Sequence, residues 1–259
     1  MEIRNPAQQL GTQPFTILIG EALEQINALR EAQVIIDCVV TSPPYFKKRS
    51  YGSSLQEIGN ESEVEHYLQN LVEIFAAVPL APWGSVWANI GDKRGRRGEL
   101  LRIPHQFATA MAKAGFLLID EVVWAKESVR IDGTSIGQAM IEPARNRFGG
   151  NGHEPFYRFV RNPKEAWSDM SAVRLPRRNV EDISYLPEVL MKCVTSVEGR
   201  NCANVWNIGP GQTSESHYGV YPPALLERPI AMSCPLEVTE KGPKQRIIKD
   251  GSLCRSAAG

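Results

Sequence analysis

An α/β fold, with a mostly parallel sheet and helices on both faces, is predicted by three observations. Short apolar runs of strand length alternate with longer segments whose apolar residues recur at helical spacing. The 259 residues suffice for one large domain of this type, or one with an inserted lobe. Three of the strand-like runs end in polar or aromatic clusters: "TSPPY" at 41–45, "NIGD" at 89–92 and "WAKE" at 124–127. In parallel sheets, chemistry sits at the carboxyl ends of the strands, so three such clusters suggest one shared crevice.

The elements follow in order. "FTILIG" (15–20) reads as a short buried strand, and "EALEQINALREA" (21–32) as a helix with Ala22, Leu23, Ile26 and Leu29 on one side. "VIIDCVV" (34–40) is a second buried strand, followed by a polar loop. A helix is predicted from about 63 to 77, with Val64, Leu68, Leu71, Val72 and Phe75 on one face. "GSVWANI" (84–90) is a strand, and "GDKRGRRGE" a basic, glycine-rich loop. The next helix is entered near Pro104 and closed by Gly115. "FLLIDEVVWAKE" is a long strand, residues 128–152 look irregular, and "PFYRFVRN" (155–162) is another strand.

Composition is that of a globular protein, 42% apolar and 22% charged, with a formal net charge of zero. Total charge therefore announces no polyanion partner, although residues 128–180 hold nine Lys or Arg against five Asp or Glu. No apolar run is long enough to span a bilayer, and the N-terminus lacks an apolar signal core, so a cytoplasmic location is expected. The cysteines (Cys38, Cys193, Cys202, Cys234, Cys254) form no C-x-x-C pair and read as reduced structural thiols; no metal is expected.

The stretch "IDCVVTSPPYF" (36–46) carries the chemistry. Two prolines stop the strand and hold the chain extended, because proline cannot donate to a ladder and biases its predecessor away from the helical region. The elbow displays the Ser42 hydroxyl, the Pro43 carbonyl and the Tyr45 ring, with Pro44 keeping the chain from curling. An amine on an aromatic ring is a poor nucleophile, since its lone pair is delocalised. Two acceptors that draw its hydrogens out of the ring plane free that lone pair. Stacking on an aromatic side chain fixes the ring, worth about 1–3 kcal/mol for a nucleobase. This is a site for alkylating a base's exocyclic amine; no cysteine is placed for a covalent step.

"TSPPY" after an apolar strand resembles the catalytic motif of amino-methylating DNA methyltransferases, which use S-adenosylmethionine. "ILIGEALEQINAL", "VWANIGDKRG" (86–95), "EVVWAKES" (121–128), "RNRFGGNGHEPFYRFVR" (145–161) and "NVWNIGPGQTSESHYGVYPPALLERPIAMSCP" (204–235) resemble further family segments. Their order, catalytic motif first, is that of the β class. The resemblance covers residues 15–235 and implies a Rossmann-like sheet, mostly parallel with one antiparallel strand. Ser-Pro-Pro-Tyr is more often associated with N4-cytosine enzymes, and Asp- or Asn-Pro-Pro-Tyr with N6-adenine, so the target base stays open with N4 of cytosine favoured. The resemblance implies catalytic roles for Ser42, Pro43, Pro44 and Tyr45, and cofactor contacts from Glu21, His217 and Tyr221. Glu21 reads equally as an acid at a helix N-terminus.

The sequence departs from the family in one respect. After Cys234 it reads "PLEVTEKGPKQRIIKDGSLCRSAAG", where a strand and glycine-rich cofactor turn, then a strand ending in an acid, are expected. By resemblance these strands belong between 15–20 and 34–40, in mid-sheet. The expected fold is therefore incomplete, as a truncated copy, a chain complemented by a second polypeptide, or one closed differently. An inactive remnant that only binds DNA is a further reading. The expected organisation is 1–127 as the catalytic half of the core, 128–180 as a target-recognition insertion, 181–235 as the return to the core and 236–259 as a tail. Double-stranded DNA is the expected partner. Candidate contacts are Lys47, Lys48 and Arg49 after the elbow, Arg94, Arg96 and Arg97 after the next strand, and Arg145 and Arg147 in the insertion. His66 and His105 read as helix-face residues.

Overall fold

The computed structural model describes residues 15–49, 57–126, 152–174, 202–209, 221–239 and 242–244, with the backbone alone of 128–129 and 135–136. Helix α1 (Ala22–Glu31) leads to strand β1 (Ile36–Thr41) and the elbow. Helix α2 (Val64–Ala77), strand β2 (Leu80–Asn89), helix α3 (Ile103–Lys113) and strand β3 (Leu117–Ala125) follow. The short strands β4 (Ser128–Val129) and β5 (Ser135–Ile136) pair with each other. Strand β6 (His153–Val160) then returns to the main sheet, joined by β7 (Val205–Asn207). Helix α4 (Pro223–Ser233) precedes a small ladder of β8 (Val238–Thr239) and β9 (Gly242–Pro243).

The main sheet has the order β1-β2-β6-β3-β7. Strands β1 and β2 are parallel, as are β3 and β7, while β6 runs antiparallel to both its neighbours. The predicted sheet, mostly parallel with one reversed strand, is the observed one. Its consequence is local. The carboxyl ends of β1, β2 and β3 lie at the same edge as the amino end of β6.

Each face is sealed by helices whose apolar positions recur at helical spacing. On α2, Tyr67, Leu68, Leu71 and Phe75 are buried, and with Phe107 and Met111 of α3 they pack on Val86, Ala88 and Phe159. On the other face, Leu225 and Met232 of α4 cover Trp87, Phe156 and Trp206. The Trp87 indole N–H donates to the Ser233 hydroxyl at 2.9 Å, pinning α4 to β2. Helix α3 starts beside Asp92, whose carboxylate accepts the N–H of Arg102 at 3.1 Å and of Ile103 at 3.0 Å. It ends at Gly115, where φ is +86° and a side chain would strain the turn.

Two expectations are corrected. "FTILIG" is not a strand: it joins no ladder, and Phe15, Ile17 and Ile19 are exposed at 72%, 71% and 77%. A strand exists only by pairing, and among the described residues β1 pairs with β2 alone, so apolar character had nothing to dock against. Residues 153–160, within the span assigned to an insertion, form β6 between β2 and β3, with Phe156, Tyr157, Phe159 and Val160 buried in the sheet. Cys38, Cys202 and Cys234 are free thiols. No helix among the described residues is long and apolar enough to cross a membrane.

Replacing Phe107, wholly buried, by alanine is expected to cost about 3–5 kcal/mol in guanidinium unfolding. Ile17→Ser is expected to change stability by less than about 0.5 kcal/mol, since the side chain is exposed.

Candidate active site

The elbow is held from below. The Tyr67 hydroxyl of α2 donates to the Pro44 carbonyl at 2.8 Å. The Lys47 N–H donates to the Gly59 carbonyl, and the Lys93 ammonium to the Lys47 carbonyl. Phe46 is buried, its ring 5.6 Å from that of Tyr67. These anchors leave the business end open. Ser42 is exposed, and no donor among the described residues meets the Pro43 carbonyl. The Ser42 hydroxyl therefore faces solvent, the Pro43 carbonyl is unpaired among the described residues although Pro43 itself is buried, and the Pro44 carbonyl is spent on the scaffold.

Tyr45 reaches sideways along the sheet edge. Its hydroxyl lies 2.8 Å from Asn89 Oδ1 at the end of β2 and 2.8 Å from Glu154 Oε2 at the start of β6. The Asn89 amide N–H donates to the Pro155 carbonyl at 3.0 Å, which turns Oδ1 toward Tyr45. The second Glu154 oxygen takes the Lys126 ammonium, from the end of β3, at 2.6 Å. Lys48 stands 4.0 Å from the same oxygen and 4.7 Å from the centroid of the Tyr45 ring. The Ser42 hydroxyl donates to the Tyr45 oxygen at 3.3 Å. Four strand termini thus contribute to one hydrogen-bonded chain.

The electrostatics follow from burial. Glu154 is 4% exposed. Burial, and then the Glu154 charge, hold the Tyr45 phenol well above its ordinary range, so it is a protonated donor at neutral pH. Burial pulls the Lys48 ammonium below its usual range, an effect the Glu154 carboxylate opposes. Tyr221 packs edge-on against Trp124 at 6.3 Å and Phe156 at 6.4 Å. Its hydroxyl is buried without a hydrogen-bond partner among the described residues, and burial and Glu154 raise its titration.

A cavity of about 570 Å³ adjoins the elbow, lined by Glu21, Ile26, Val39, Thr41, Pro43 and Phe75, among others. Its size is that of a cofactor site. Its carboxylates, Glu21 and Glu57, suit a cationic sulfonium ligand carrying ribose hydroxyls. The unpartnered Tyr221 hydroxyl is a further polar group near the reacting edge. These residues fit S-adenosylmethionine. Glu21 also caps α1, its carboxylate accepting the Leu23 N–H at 2.9 Å, as the helix N-terminal reading expects.

The basic candidates divide. The loop of Lys47, Lys48 and Arg49 and the loop of Arg94, Arg96 and Arg97 lie side by side at the sheet edge, joined by the Lys93–Lys47 contact. Arg94 donates to the Gly98 carbonyl within its loop, while the Arg97 side chain is 90% exposed. His217, Arg145 and Arg147 fall outside the described residues. His66 and His105 are exposed. Sequence reasoning gave no role to Asn89, Lys126 or Glu154. Each lies in a segment it singled out, "NIGD", "WAKE" and "GHEPF", but what joins them is the sheet order.

A mostly parallel sheet with one reversed strand, carrying Ser-Pro-Pro-Tyr at its carboxyl edge, defines the class of amino-methylating DNA methyltransferases. The chain belongs to the N6/N4 DNA methylase family, whose model matches residues 36–239. S-adenosylmethionine is the family's methyl donor. The type II methyltransferase M.SmaI of Serratia marcescens is 25% identical over 239 residues, covering 81% of this chain and 72% of that protein. M.XycI of Xanthomonas campestris pv. cyanopsidis is 29% identical, with 82% and 70% covered. The solved PvuII cytosine-N4-specific DNA methyltransferase shares the fold, with a TM-score of 0.54 at 17% identity over 83% of this chain and 69% of that one.

Gly91 permits the site's packing: a Cβ there would stand 2.4 Å from the Tyr45 ring. Gly91→Ala is expected to destabilise the fold by about 1–3 kcal/mol and to displace Tyr45, read by unfolding and by near-ultraviolet circular dichroism.

Proposed function

We propose that this chain methylates the exocyclic amine of a base flipped out of double-stranded DNA, and that the base is cytosine, modified at N4. The observation that carries this reading is the pair of acceptors at the elbow, an exposed Ser42 hydroxyl beside an unengaged Pro43 carbonyl. The Ser-Pro-Pro-Tyr form favours cytosine over adenine.

Each residue then has a defined task. Ser42 Oγ and the Pro43 carbonyl accept the two amine hydrogens and draw the nitrogen toward a pyramidal, nucleophilic geometry. Pro44, tied to Tyr67, keeps that carbonyl from turning away. The base stacks on the Tyr45 face where the Lys48 ammonium rests, and Lys48, with a side chain 42% exposed, swings out toward phosphate. Lys47, Arg49, Arg94, Arg96 and Arg97 meet the phosphates that flank the extruded nucleotide, while Arg145 and Arg147 contribute to sequence reading. Glu21, Tyr221 and His217 hold the cofactor, with the cavity beside the elbow taking its bulk. S-adenosylmethionine, when bound, supplies an electrophilic methyl group and departs as a neutral thioether. The surrounding apolar walls exclude water that would otherwise solvate the nucleophile.

Among the described residues the outer edge of β1 is unpaired and, with the exposed Phe15, Ile17 and Ile19 beside α1, it fits a strand from a second polypeptide carrying a glycine-rich turn. In this reading such a partner completes the cofactor site. Titration calorimetry of the chain with S-adenosylmethionine, alone and with a candidate partner, tests it.

Ser42→Ala is expected to lower methyl transfer at least about 10²-fold, the scale of lost polar groups at a reacting centre, while DNA affinity changes less than about threefold. A labelled-methyl assay with DNA gel shifts measures both; equal losses would remove the role given to Ser42. Mass spectrometry of nucleosides from the product identifies the base, and N6-methyladenine would overturn the choice of cytosine.

A further inference from the structure

We infer that Glu154 and Lys126 fix the polarity of the hydrogen-bonded chain Ser42–Tyr45–Glu154, and that this chain carries the proton lost by the methylated amine to the Glu154 carboxylate. The inference rests on the function proposed above and adds two residues to it.

The polarity follows from donor and acceptor counting. A carboxylate only accepts. Glu154 Oε1 is occupied by the Lys126 ammonium at 2.6 Å, so Oε2 is left to receive Tyr45 at 2.8 Å. The other neighbour of the phenol, Asn89 Oδ1, is also an acceptor, held in that orientation by the Pro155 carbonyl. With two acceptors on its inner side, the Tyr45 hydroxyl must point its one hydrogen inward. Its lone pairs then face outward, where the Ser42 hydroxyl donates to them at 3.3 Å. Ser42 has no second hydrogen, so toward the crevice it presents lone pairs alone. A base amine, which arrives with hydrogens, meets an acceptor that cannot rotate into a donor. A lone serine hydroxyl in water would be free to present either.

The same chain conducts. When the amine nitrogen forms its bond to carbon it carries a surplus proton. That N–H bond breaks as an O–H bond forms on Ser42, the Ser42 hydrogen passes to the Tyr45 oxygen, and the Tyr45 hydrogen passes to Glu154 Oε2. One proton leaves nitrogen, one arrives on the carboxylate, and both hydroxyls are regenerated with their hydrogens turned. No tyrosinate forms. Burial and the Glu154 charge hold the phenol protonated, which disfavours a stepwise path through the anion relative to concerted passage. The charged and titratable groups facing Glu154 are Lys126 from β3, Lys48 and Tyr45 from the elbow, and Tyr221 before α4. With Lys48 swung out by the base, the Lys126 ammonium at 2.6 Å offsets the charge while the carboxylate waits.

Glu154 and Lys126 act through Tyr45 and Ser42 and are positioning residues. The test is a double-mutant cycle of E154Q and Y45F in single-turnover methyl transfer on duplex DNA. Each single change is expected to slow transfer about 10²-fold, the scale of assisted proton transfer, with DNA affinity within about threefold. The double variant should be no slower than the worse single one, because both cut one chain. The solvent deuterium effect of the wild type should vanish in E154Q. Additive losses, or an isotope effect that survives in E154Q, would overturn the relay.

A second measurement needs no turnover. In infrared spectra of the chain with ring-labelled tyrosine, the Tyr45 phenol C–O band, identified by its loss in Y45F, should shift in E154Q. An unmoved band would overturn the polarity whatever the kinetics. If the wild-type chain transfers no methyl group but the band shifts, the function proposed above falls and the chain of hydrogen bonds stands. A fully active E154Q with a normal isotope effect sinks the inference and leaves that function intact.

Discussion

A carboxylate buried at the junction of four strand ends is the constraint on which the rest of the site depends. Taking a charge out of water costs several kcal/mol, and an unpaired one is not tolerated. Glu154 is tolerated because Lys126 stands at 2.6 Å and Tyr45 at 2.8 Å, with Lys48 further out. Removing one partner of such a pair typically costs about 3–5 kcal/mol, more than the pair itself contributes over a hydrophobic replacement. The pair is therefore poor at stabilising and good at specifying: it dictates where Tyr45 points, and through Tyr45 how Ser42 presents its oxygen.

The sheet makes that junction. Parallel β1, β2 and β3 deliver the elbow, Asn89 and Lys126 to one edge, and reversing β6 alone brings its first residues to the same edge. Were β6 parallel, Glu154 would lie at the opposite end of the sheet, a strand length away. Helix packing then stiffens the frame. Tyr67 sits with its ring in the core and its hydroxyl on the Pro44 carbonyl, so the hydrophobic face of α2 and the position of the elbow are one commitment.

Much of this was legible in order along the chain. Period-3.6 patterns placed α1, α2 and α3 within a residue or two, since a helix is decided largely by its own amphipathic stripe. The reversed strand came from resemblance and proved correct. "FTILIG" failed for the opposite reason: apolarity signals a wish for burial, and only a neighbouring strand can grant it. The elbow was readable because proline acts locally, fixing φ and removing a donor wherever it stands. Glu154 was not, because in the sequence it is one acid among many. Its burial, its lysine and its tyrosine come from residues 28 and 109 positions away.

By itself, then, the sequence determined the local pieces: helical stripes, strand runs, a proline-braced hydroxyl and ring, and the family to which they belong. Those follow from short-range sterics and periodicity, which any stretch of chain carries with it. Tertiary structure alone decided which pieces meet. Strand order put an acid from β6, a base from β3 and an amide from β2 around the Tyr45 hydroxyl, and burial turned ordinary charges into a directed chain. Hydrogen bonds reach about 3 Å, so their pattern is fixed only once distant segments are brought together.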